Sequence, residues 1–594
     1  MVTRDILLSL ENMSICFGQS GLSFPVVDNV SFDLARGETL ALVGESGSGK
    51  TLTAKAVMGL LPKAAHVMSG AARMELAGGE TDLLAIPDAK LRKLRGTTIS
   101  MIFQEPMSAL SPLHTVGRQV AEVLNVAGLD RGLNVKKRVL EIFDEVGFPN
   151  PERAWAAYPF ELSGGLRQRA VIAMAMIGQP DLVIADEPTT ALDVTTQAMV
   201  LDLIKRLQHD HQMSVIMITH DLGVVANMAD QVVVMRRGKV VEQGLAHDVL
   251  MTPGHGYTKA LIAAAPQIPH DLRVHAVSSN DRILTVSNLS KTYPGRSRTF
   301  GPADPPVKAV TDFEMALDRG KTIAVVGESG SGKSTVAKLM LRAERPDSGA
   351  QIAFCGKDGV TCDVAKLQGQ ALTEFRLKAQ MVFQDPYASL SPRMSIQDIL
   401  TEPLKIHGKG TKAEQRDRAA YLMGRVGLSP DHLARFPYAF SGGQRQRIAI
   451  ARALALGPEL VVCDEPTSAL DVSVQAEVLE LLTELREELG LSYVFISHDL
   501  AVVSKLADRV MVMRRGRVVE EGATECIFGD ARHPYTKALM AASPEPDMEQ
   551  RLDLKAVAAG AGEPETWDPP YQFHADEAPD LLEVAPGHFV RAAA

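Results

Sequence analysis

The stretch GESGSGKT, Gly44 to Thr51, has the spacing GxxxxGK[ST] and returns almost unchanged as GESGSGKS, Gly327 to Ser334. Glycines at these positions let backbone N–H groups curl round a phosphate. The lysine supplies positive charge, and the final hydroxyl can ligate magnesium at the start of a helix. Lys50 and Lys333 are therefore expected to hold the β- and γ-phosphates of a nucleotide.

The two loops belong to a long internal repeat. They lie 283 residues apart, the segments MIFQEPMSALSP and MVFQDPYASLSP lie 280 apart, and three later pairs keep a spacing of 278. Those pairs are LSGGLRQR and FSGGQRQR, LVIADEPTTALD and LVVCDEPTSALD, and IMITHDL and VFISHDL. A chain of 594 residues also exceeds what one core usually serves. We expect two copies, 1–265 and 283–545, joined by a linker, 266–282, and followed by an acidic tail, 546–594.

Each copy is predicted to be an α/β nucleotide-binding fold. The runs TLALVG and TIAVVG before the glycine loops, and DLVIAD and ELVVCD further along, are short, branched and continuous. Such runs are typical of parallel strands that are buried on both faces. The segments TAKAVMGLL and AVIAMAMI have the length and apolar spacing of helices that pack on such strands.

Composition excludes several functions. Hydrophobic residues make up 46% and charged residues 23%, which is ordinary globular composition. The net charge of −10, to which the tail contributes ten acidic against three basic residues, argues against nucleic-acid binding. Five scattered cysteines without a CxxC pair predict neither a zinc site nor disulfides. The N-terminus lacks the features of a signal peptide, and no apolar run has the roughly 20 residues that would span a bilayer.

Acidic pairs follow one predicted strand of each copy, Asp186 with Glu187 and Asp464 with Glu465. The aspartate would hold Mg²⁺, and the glutamate would orient or deprotonate an attacking water. Taken alone, Asp-Glu-Pro can simply start a helix, with its acids at the positive end. The position downstream of a glycine loop favours the catalytic interpretation.

A histidine follows the next predicted strand in each copy, His220 and His498. A lone histidine is more often structural than catalytic, but the matched spacing from both acidic pairs favours a contact with the γ-phosphate. The SGG segments precede helices whose first N–H groups form an anion site. They could equally be loops that cap a helix. Because each copy already has one phosphate cradle, a second anion site indicates a second phosphate-bearing surface to meet.

In this order, glycine loop, glutamine segment, SGGxRQR, DEPT, ALD and histidine, the chain resembles ATP-binding cassette (ABC) proteins over about 500 residues, with all motifs present twice. The resemblance implies cassettes with a RecA-like, mostly parallel sheet, an antiparallel β-subdomain and a helical subdomain. It also implies that the two cassettes pair head to tail within one chain. Each ATP would then lie between the glycine loop of one cassette and the SGG segment of the other.

The resemblance assigns roles residue by residue. One ATP site would comprise Gly44, Ser46, Gly47, Ser48, Gly49, Lys50, Thr51, Gln104, Asp186, Glu187 and His220, closed by Ser441, Gly442 and Gly443. The other would comprise Gly327, Ser329, Gly330, Ser331, Gly332, Lys333, Ser334, Gln384, Asp464, Glu465 and His498, closed by Ser163, Gly164 and Gly165. Magnesium would be held by Thr51, Gln104 and Asp186 in one site and by Ser334, Gln384 and Asp464 in the other. Catalysis would fall to Glu187, His220 and Gln104 and to Glu465, His498 and Gln384.

Six further positions complete the comparison with the family. Asp193 and Asp471, in the ALD segments, would communicate across the interface between the cassettes. Phe17 and Tyr293 match the position where the family stacks an aromatic ring on adenine, although core aromatics before a sheet are nearly as plausible there. Leu166 departs from the glutamine usual at its position, which Gln444 keeps. That change affects helix packing rather than the Ser-Gly-Gly contacts.

Two segments narrow the class. HGYTKALIAAAPQIP from His255 and HPYTKALMAASPEP from His533 resemble the C-terminal signature of oligopeptide, dipeptide and nickel importer ATPases, although each could be only a surface helix. The fused arrangement and MIFQEPMSALSPLHT resemble the ATPase subunit of microcin C type peptide importers, whose relatives serve glutathione, opines and some glycosides. A soluble tandem ATPase that acts on ribosomes or nucleic acid is the alternative. The short linker and the acidic charge disfavour it.

As an importer subunit, the chain would bind ATP and Mg²⁺ at the cytoplasmic face of the inner membrane. It would contact two transmembrane permease subunits and depend on a periplasmic binding protein for its solute. One copy would serve each transporter. No iron-sulfur cluster is expected, since no cysteine lies between Cys16 and Cys355. The aromatic residues of the tail predict that it docks on a cassette. A sharper hypothesis is that the tail regulates closure of the two cassettes.

Overall fold

A computed structural model describes residues 4–18, 25–190, 192–268, 281–295, 305–468, 470–549, 551–573 and 579–593. Most of the predicted linker, residues 269–280, lies outside the described residues, as do the alanines of both ALD segments.

The first copy contains ten strands and eleven α-helices in its described part. Its strands are β1 (Ile6–Phe17), β2 (Pro25–Ala35), β3 (Thr39–Val43), β4 (Ala65–Leu76), β5 (Gly79–Asp82), β6 (Ile99–Ile102), β7 (Leu182–Asp186), β8 (Ser214–Ile218), β9 (Gln231–Arg236) and β10 (Lys239–Leu245). Its helices are α1 (Lys50–Val57), α2 (Asp88–Leu94), α3 (Pro106–Ala109), α4 (Val116–Ala127), α5 (Val135–Glu145), α6 (Pro151–Ala156), α7 (Gly164–Met176), α8 (Val194–His211), α9 (Leu222–Met228), α10 (Ala246–Met251) and α11 (Gly256–Ala264).

The second copy repeats this order except that a 3-10 helix, Pro430–Ala434, stands in the place of α6, and the tail adds further elements. Its strands are β11 (Arg282–Tyr293), β12 (Val307–Asp318), β13 (Thr322–Val326), β14 (Gln351–Cys355), β15 (Thr361–Asp363), β16 (Ala379–Val382), β17 (Leu460–Asp464), β18 (Ser492–Ser497), β19 (Arg509–Arg514) and β20 (Arg517–Ala523). Its helices are α12 (Lys333–Met340), α13 (Gly369–Lys378), α14 (Pro386–Ser389), α15 (Ile396–Ile406), α16 (Lys412–Arg425), α17 (Gly442–Ala453), α18 (Val472–Leu489), α19 (Leu500–Leu506), α20 (Thr524–Gly529) and α21 (Pro534–Ala541). The tail forms α22 (Leu554–Ala561), β21 (Leu581–Ala585) and β22 (His588–Arg591).

Each cassette is built on a mostly parallel sheet. The first has the order β10-β9-β3-β8-β7-β6, in which all neighbouring pairs are parallel except β10 with β9. Every residue of β3, β7 and β8 is buried, as continuous apolar runs predict for strands covered on both faces. Their carboxyl ends lie at one edge, which is where ligands bind in open α/β sheets. That edge carries the first glycine loop, the Asp-Glu pair and His220.

A smaller antiparallel sheet and a helical layer flank each core. The antiparallel sheets have the orders β2-β1-β4-β5 and β12-β11-β14-β15. Helices α4 and α5 in the first cassette and α15 and α16 in the second precede the SGG segments and pack on α7 and α17, and α6 packs on α4 and α5. The α/β class, the antiparallel subdomain and the helical subdomain that the sequence predicted are therefore confirmed.

The tail packs on the second cassette. Strand β22 pairs with β20 through Glu520 and Glu521, and β21 pairs with β22, so the second core sheet has eight strands where the first has six. Trp567 is 3% exposed and its ring meets that of His533 edge-on. Docking of the tail, rather than a wholly disordered segment, is what the structure shows for its described part.

A crossing segment, residues 543–549 and 551–553, leaves the second cassette and lies against the first. Met548 packs on the core formed by α9, α10 and α11. The amide of Leu552 donates to Asn227 Oδ1 at 3.0 Å. In addition, helix α11 of the first cassette packs against helix α18 of the second. The two copies therefore share buried apolar surface. Among the described residues, no helix is both long and apolar enough to cross a membrane.

Candidate functional site

The glycine loops join a buried strand to a helix in both cassettes. At Gly44, φ is 143° and a Cβ would lie 2.1 Å from the carbonyl oxygen of Met235. At Gly327, φ is 149° and a Cβ would lie 2.2 Å from the oxygen of Met513. Only glycine fits this backbone and this close approach. The next elements, α1 and α12, begin at the two lysines, so their free N–H groups face the loop.

The lysines of the loops are buried and held by backbone oxygens. Lys50 Nζ donates to the carbonyls of Gly44 and Glu45 at 2.6 and 2.9 Å. Lys333 Nζ donates to those of Gly327 and Glu328, both at 2.7 Å. Burial lowers the pKa of both lysines, although nearby carboxylates oppose the shift. The ammonium group is therefore preplaced beside the phosphate cradle.

Two of the three predicted magnesium ligands lie together in each cassette, while the third, Gln104 or Gln384, donates to the neighbouring glutamate. The hydroxyl of Thr51 donates to Asp186 Oδ1 at 3.0 Å, and that of Ser334 donates to Asp464 Oδ1 at 3.0 Å. Burial raises the pKa of both aspartates, while these hydrogen bonds lower it. A hydroxyl and a carboxylate at the start of a helix form the hard oxygen donor set that Mg²⁺ prefers. The residues present fit the ion, and their role as ligands stays a prediction.

Glu187 lies at the centre of a polar cluster. Gln104 Nε2 donates to its Oε2 at 2.7 Å, and His220 Nδ1 lies 3.1 Å from its Oε1. Burial alone would raise the pKa of Glu187, but the hydrogen bond and charge of His220 lead the opposing effects and lower it to about 2. The same pairing raises the pKa of His220 against the effect of its burial. The pairing therefore favours an ionised carboxylate beside a protonated imidazole.

The second cassette repeats this cluster. Gln384 Nε2 donates to Glu465 Oε2 at 2.8 Å, and His498 Nδ1 lies 3.2 Å from the same carboxylate. Burial opposes the shift here too, yet His498 lowers the pKa of Glu465. The structure thus brings together the predicted glutamine, glutamate and histidine in both copies.

One contact was missed in the sequence. The hydroxyl of Thr190 donates to Glu187 Oε2 at 2.9 Å, whereas its counterpart Ser468 donates to the backbone oxygen of Glu465 at 3.1 Å. The sequence signal that could have indicated this contact was the second threonine of DEPTT, at a position where the other copy has serine. The first glutamate therefore has one more side-chain donor than the second.

Residues of the second cassette complete the surroundings of the first glycine loop. The amide of Ser46 donates to Asp471 Oδ2 at 3.1 Å, and the hydroxyl of Ser473 donates to Glu45 Oε1 at 3.4 Å. One cavity is lined by the first glycine loop together with Ser441, Gly442 and Gly443. This is the head-to-tail neighbourhood that the family resemblance implies.

The second glycine loop interacts electrostatically with Asp193 of the first cassette. Burial lowers the pKa of Lys333, and Asp193 of the first cassette is among the carboxylates that oppose the shift. Asp193 also acts on Glu328, whose pKa burial raises. In the described part of the chain, no hydrogen bond joins Ser163, Gly164 or Gly165 to the second glycine loop. The predicted closure of the second ATP site by the first cassette is therefore supported by the charge of Asp193 alone.

The two SGG segments start their helices in the same way. Ser163 Oγ accepts from the amide of Leu166 at 3.4 Å, and Ser441 Oγ accepts from that of Gln444 at 3.3 Å. Gln444 Oε1 also accepts from the amide of Ser441 at 3.1 Å, a bond that Leu166 cannot form. The change at Leu166 therefore removes half of a capping box and leaves the helix start in place.

The predicted adenine-stacking rings differ in their surroundings. Phe17 ends β1 and is 41% exposed. Tyr293 ends β11, its hydroxyl donates to Glu344, and Lys291 Nζ lies 5.3 Å from its ring centre. Phe17 presents a partly exposed ring, while Tyr293 is already held by side chains of its own cassette. The stacking role of both stays a prediction.

Comparison with known proteins identifies two kinds of region, each present twice. A family model described as "ABC transporter" matches residues 27–190 and 310–468. A model described as "Oligopeptide/dipeptide transporter, C-terminal region" matches residues 241–296 and 519–567. The second pair includes the HGYT and HPYT segments, and its second member extends through the crossing segment to α22.

Similar proteins cover nearly the whole chain. The chain is 46% identical over 539 residues to the peptidoglycan transport ATP-binding protein YejF of Agrobacterium fabrum, covering 90% of this chain and 96% of that protein. It is 42% identical over 620 residues to the glutathione import ATP-binding protein GsiA of Salmonella choleraesuis, covering 99% and 97%. Among solved structures, the ATP-binding cassette MJ0796 bound to ADP and Pi is 28% identical, with a TM-score of 0.35, over 41% of this chain and 98% of that one.

Proposed function

The chain belongs to the ABC transporter family, and from this premise we propose that it is the ATP-hydrolysing subunit of a binding-protein-dependent importer for peptides or peptide-like solutes. The observation that carries the proposal is the oligopeptide/dipeptide transporter region behind each of the two cassettes. The activities in the names of the two relatives, peptidoglycan transport and glutathione import, support a peptide-containing solute. Opines, glycosides and nickel stay the alternatives within the same family.

We propose that ATP is bound at two composite sites. In the first, Gly44 to Thr51 would surround the phosphates and Ser441 to Gly443 would close the site from the other cassette. The second would use Gly327 to Ser334, closed by Ser163 to Gly165. Bound Mg²⁺ would neutralise phosphate charge beside Thr51 and Asp186 and beside Ser334 and Asp464.

The electrostatics suggest how the side chains divide the work. A carboxylate with a pKa of about 2, as in Glu187, is a weak proton acceptor near neutral pH. It is well suited to orient an attacking water by accepting its hydrogen bonds. The protonated His220 would donate to the charge that develops on the transferring phosphoryl group. Glu465 and His498 would act alike in the second site.

Exposed apolar side chains mark the surface proposed to meet the two permease subunits. They flank the glutamine segments and the start of the SGG helices in both cassettes, as Phe103, Met107, Phe160, Phe383, Tyr387 and Tyr438, which are 39 to 72% exposed. Tyr158 stacks on Phe160, and Phe436 on Tyr438, with centroids 5.5 and 5.8 Å apart. Exposed apolar clusters of this kind commonly serve association. A peripheral position at the cytoplasmic face of the inner membrane follows from that contact.

Copurification tests the function. The tagged chain, expressed together with its cognate permease subunits, is expected to be recovered from membranes with two hydrophobic proteins. Phe160→Ser combined with Tyr438→Ser should abolish this recovery while basal ATPase is retained. Val360→Ser, a change at a 61% exposed residue in the turn between β14 and β15, is the matched control. Sedimentation with ribosomes and no membrane recovery would support the soluble alternative instead.

The solute is tested on the cognate binding protein. Calorimetric titration with reduced glutathione, a short synthetic peptide, a muropeptide, an opine, a simple glycoside and nickel chloride compares the alternatives directly. We expect binding of at least one of the three peptide-containing probes. Retention of nickel, the opine or the glycoside alone would overturn the peptide assignment and leave the importer assignment standing.

A further inference from the structure

The tyrosines of the HGYT and HPYT segments reach the two glycine loops. The amide of Glu45 donates to the hydroxyl oxygen of Tyr257 at 3.1 Å. The amide of Glu328 donates to that of Tyr535 at 2.8 Å. Both tyrosines lie more than 200 residues from the loops in sequence and are buried, 7% and 0% exposed. The contact occurs in both cassettes, so it is a property of the repeated unit.

The bond falls on a particular peptide group. The amide of Glu45 and the carbonyl of Gly44 belong to the same planar peptide. That carbonyl accepts from Lys50 Nζ at 2.6 Å, while the amide on the other side of the plane donates to Tyr257. In the second cassette, Lys333 Nζ and Tyr535 hold the Gly327–Glu328 peptide in the same way. Each tyrosine therefore fixes the orientation of the peptide that the phosphate-binding lysine rests on.

The tyrosine rings are themselves fixed. His255 Nδ1 accepts from the amide of Tyr257, and His533 Nδ1 accepts from that of Tyr535, both at 3.1 Å. The guanidinium groups of Arg236 and Arg514 each lie 4.6 Å above the ring. A capped helix start below and a cation above leave the hydroxyl little freedom.

The second cassette adds a support that the first lacks. Arg514 donates to the carbonyls of Gly560 and Ala561 in α22, at 2.6 and 2.7 Å, and its guanidinium also lies 5.0 Å from the ring of Trp567. The tail thus holds the arginine that covers Tyr535. Among the described residues, no tail residue makes a corresponding contact with Arg236.

We propose that Tyr257 and Tyr535 are positioning residues for the two ATP sites, each holding the Gly-Glu peptide that sets the place of the phosphate-binding lysine. Neither hydroxyl touches the nucleotide; both act through the loop. The tail steadies the second of these contacts through Arg514. The proposal rests on the ATPase activity proposed above and is independent of the transported solute.

The test removes only the hydroxyls. Tyr257→Phe and Tyr535→Phe keep the ring, its packing and the cation above it, and leave one loop amide without its acceptor. Because the loop contacts phosphate in the ground state and the transition state alike, its loosening should weaken binding rather than the chemical step. For the double variant we expect the KM for ATP to rise about 5-fold or more, with kcat within twofold of the unaltered chain.

Tyr493→Phe is the matched control. Tyr493 is also buried in the second cassette, and its hydroxyl donates to the backbone oxygen of Leu482 at 3.1 Å, away from both glycine loops. The Tyr493→Phe variant loses a hydrogen bond of the same kind. It should lower the midpoint of thermal unfolding while leaving the KM for ATP unchanged. If the double variant lowers the midpoint like Tyr493→Phe and keeps its KM within twofold, the proposal is overturned.

Hydrogen exchange gives a readout that does not depend on turnover. The amides of Glu45 and Glu328 should exchange faster in the respective phenylalanine variants of the full chain, and not in Tyr493→Phe. Unchanged exchange at both amides would contradict the proposal. An unaltered chain that neither binds nor hydrolyses ATP would instead contradict the proposed function, so the two failures are distinguishable.

Discussion

Glu187 and Glu465 occupy a backbone conformation that few residues other than glycine adopt, with φ of 47° and 46°. Such left-handed residues cost free energy and persist where neighbouring groups hold them in place. Here the neighbours are the glutamine and histidine that bond each carboxylate. The shared strain aims both glutamates at the edge where the glycine loop lies, which supports two competent sites rather than one.

Replacing each glutamate by glutamine tests whether both sites hydrolyse ATP. Glu187→Gln and Glu465→Gln keep the size of the side chain and remove its charge, so each should silence its own site. We expect each single variant to lose at least about half of the steady-state ATPase, and the double variant to lose about 100-fold or more. Unchanged turnover in Glu187→Gln with complete loss in Glu465→Gln would show that only the second site hydrolyses ATP.

The ion pair between His220 and Glu187 should make stability depend on pH. Because the pKa of Glu187 is lowered to about 2 from 4.5, its contribution is present above pH 4.5 and is lost as the pH falls toward 2. Because the pKa of His220 is raised from 6.5, its contribution is present below pH 6.5 and is lost as the pH rises through the raised value. The pair is therefore most stabilising between pH 4.5 and 6.5.

The check compares the unaltered chain with His220→Gln by denaturant unfolding. The difference in the free energy of unfolding should be larger at pH 5.5 than at pH 9. His209→Gln, which alters a histidine whose side chain is 85% exposed, serves as the control. A difference that stays constant or grows toward pH 9 would show that the charged pair does not contribute in this way.

At the scale of elements, the strands and helices that carry the site were predictable because their signals are local. TLALVG and DLVIAD are continuous apolar runs, and they form β3 and β7. The hairpin of β21 and β22 was not predicted, although Pro586 and Gly587 mark its turn and φ at Gly587 is 71°. Its strands alternate only weakly in burial, and their partner β20 lies some seventy residues earlier in the chain. Pairing at that separation leaves no periodic signal in the strand itself.

The tyrosines of HGYT and HPYT illustrate the same limit inside the site. The sequence indicated a family signature, with a surface helix as the alternative, and α11 and α21 do begin there. It did not predict that the hydroxyls meet loop amides, because that contact depends on how a helix at the end of a cassette packs against its beginning. A tyrosine at the same place in both copies was the available signal.

The difference between the two SGG helices predicts a difference in stability. Gln444 completes a capping box with Ser441, while Leu166 packs its side chain against the core of the first cassette. Gln444→Leu should therefore lower the free energy of unfolding of the second cassette by about 0.5–1 kcal/mol. Leu166→Gln gains a cap but loses packing, so its effect should be smaller. Denaturant unfolding of both variants measures this, and an unchanged Gln444→Leu would exclude a contribution from the cap.

At the scale of the whole molecule, the family resemblance implied which halves face each other, and the contacts of Ser46 with Asp471 fit that arrangement. The crossing segment was not predicted. The position of this segment depends on the close approach of two backbones. The hydrophobic periodicity of one segment does not predict which surface it will pack against. Gly223 in α9 is a point of close approach, where a Cβ would lie 2.2 Å from the carbonyl oxygen of Pro544.

That approach makes Gly223→Ala a test of how the cassettes are joined. The added methyl and the Pro544 carbonyl cannot both keep their places, so the crossing segment should shift from α9. Overpacking of this kind typically costs about 1–3 kcal/mol, or roughly a 5- to 150-fold change in a local opening equilibrium. The amide of Leu552, which donates to Asn227, should exchange with solvent faster by that factor. Ala501 holds the matched position in α19, so Ala501→Gly is the control, and it should leave this amide unchanged. Equal exchange in Gly223→Ala and the unaltered chain would mean that the crossing segment tolerates separation and does not join the two cassettes.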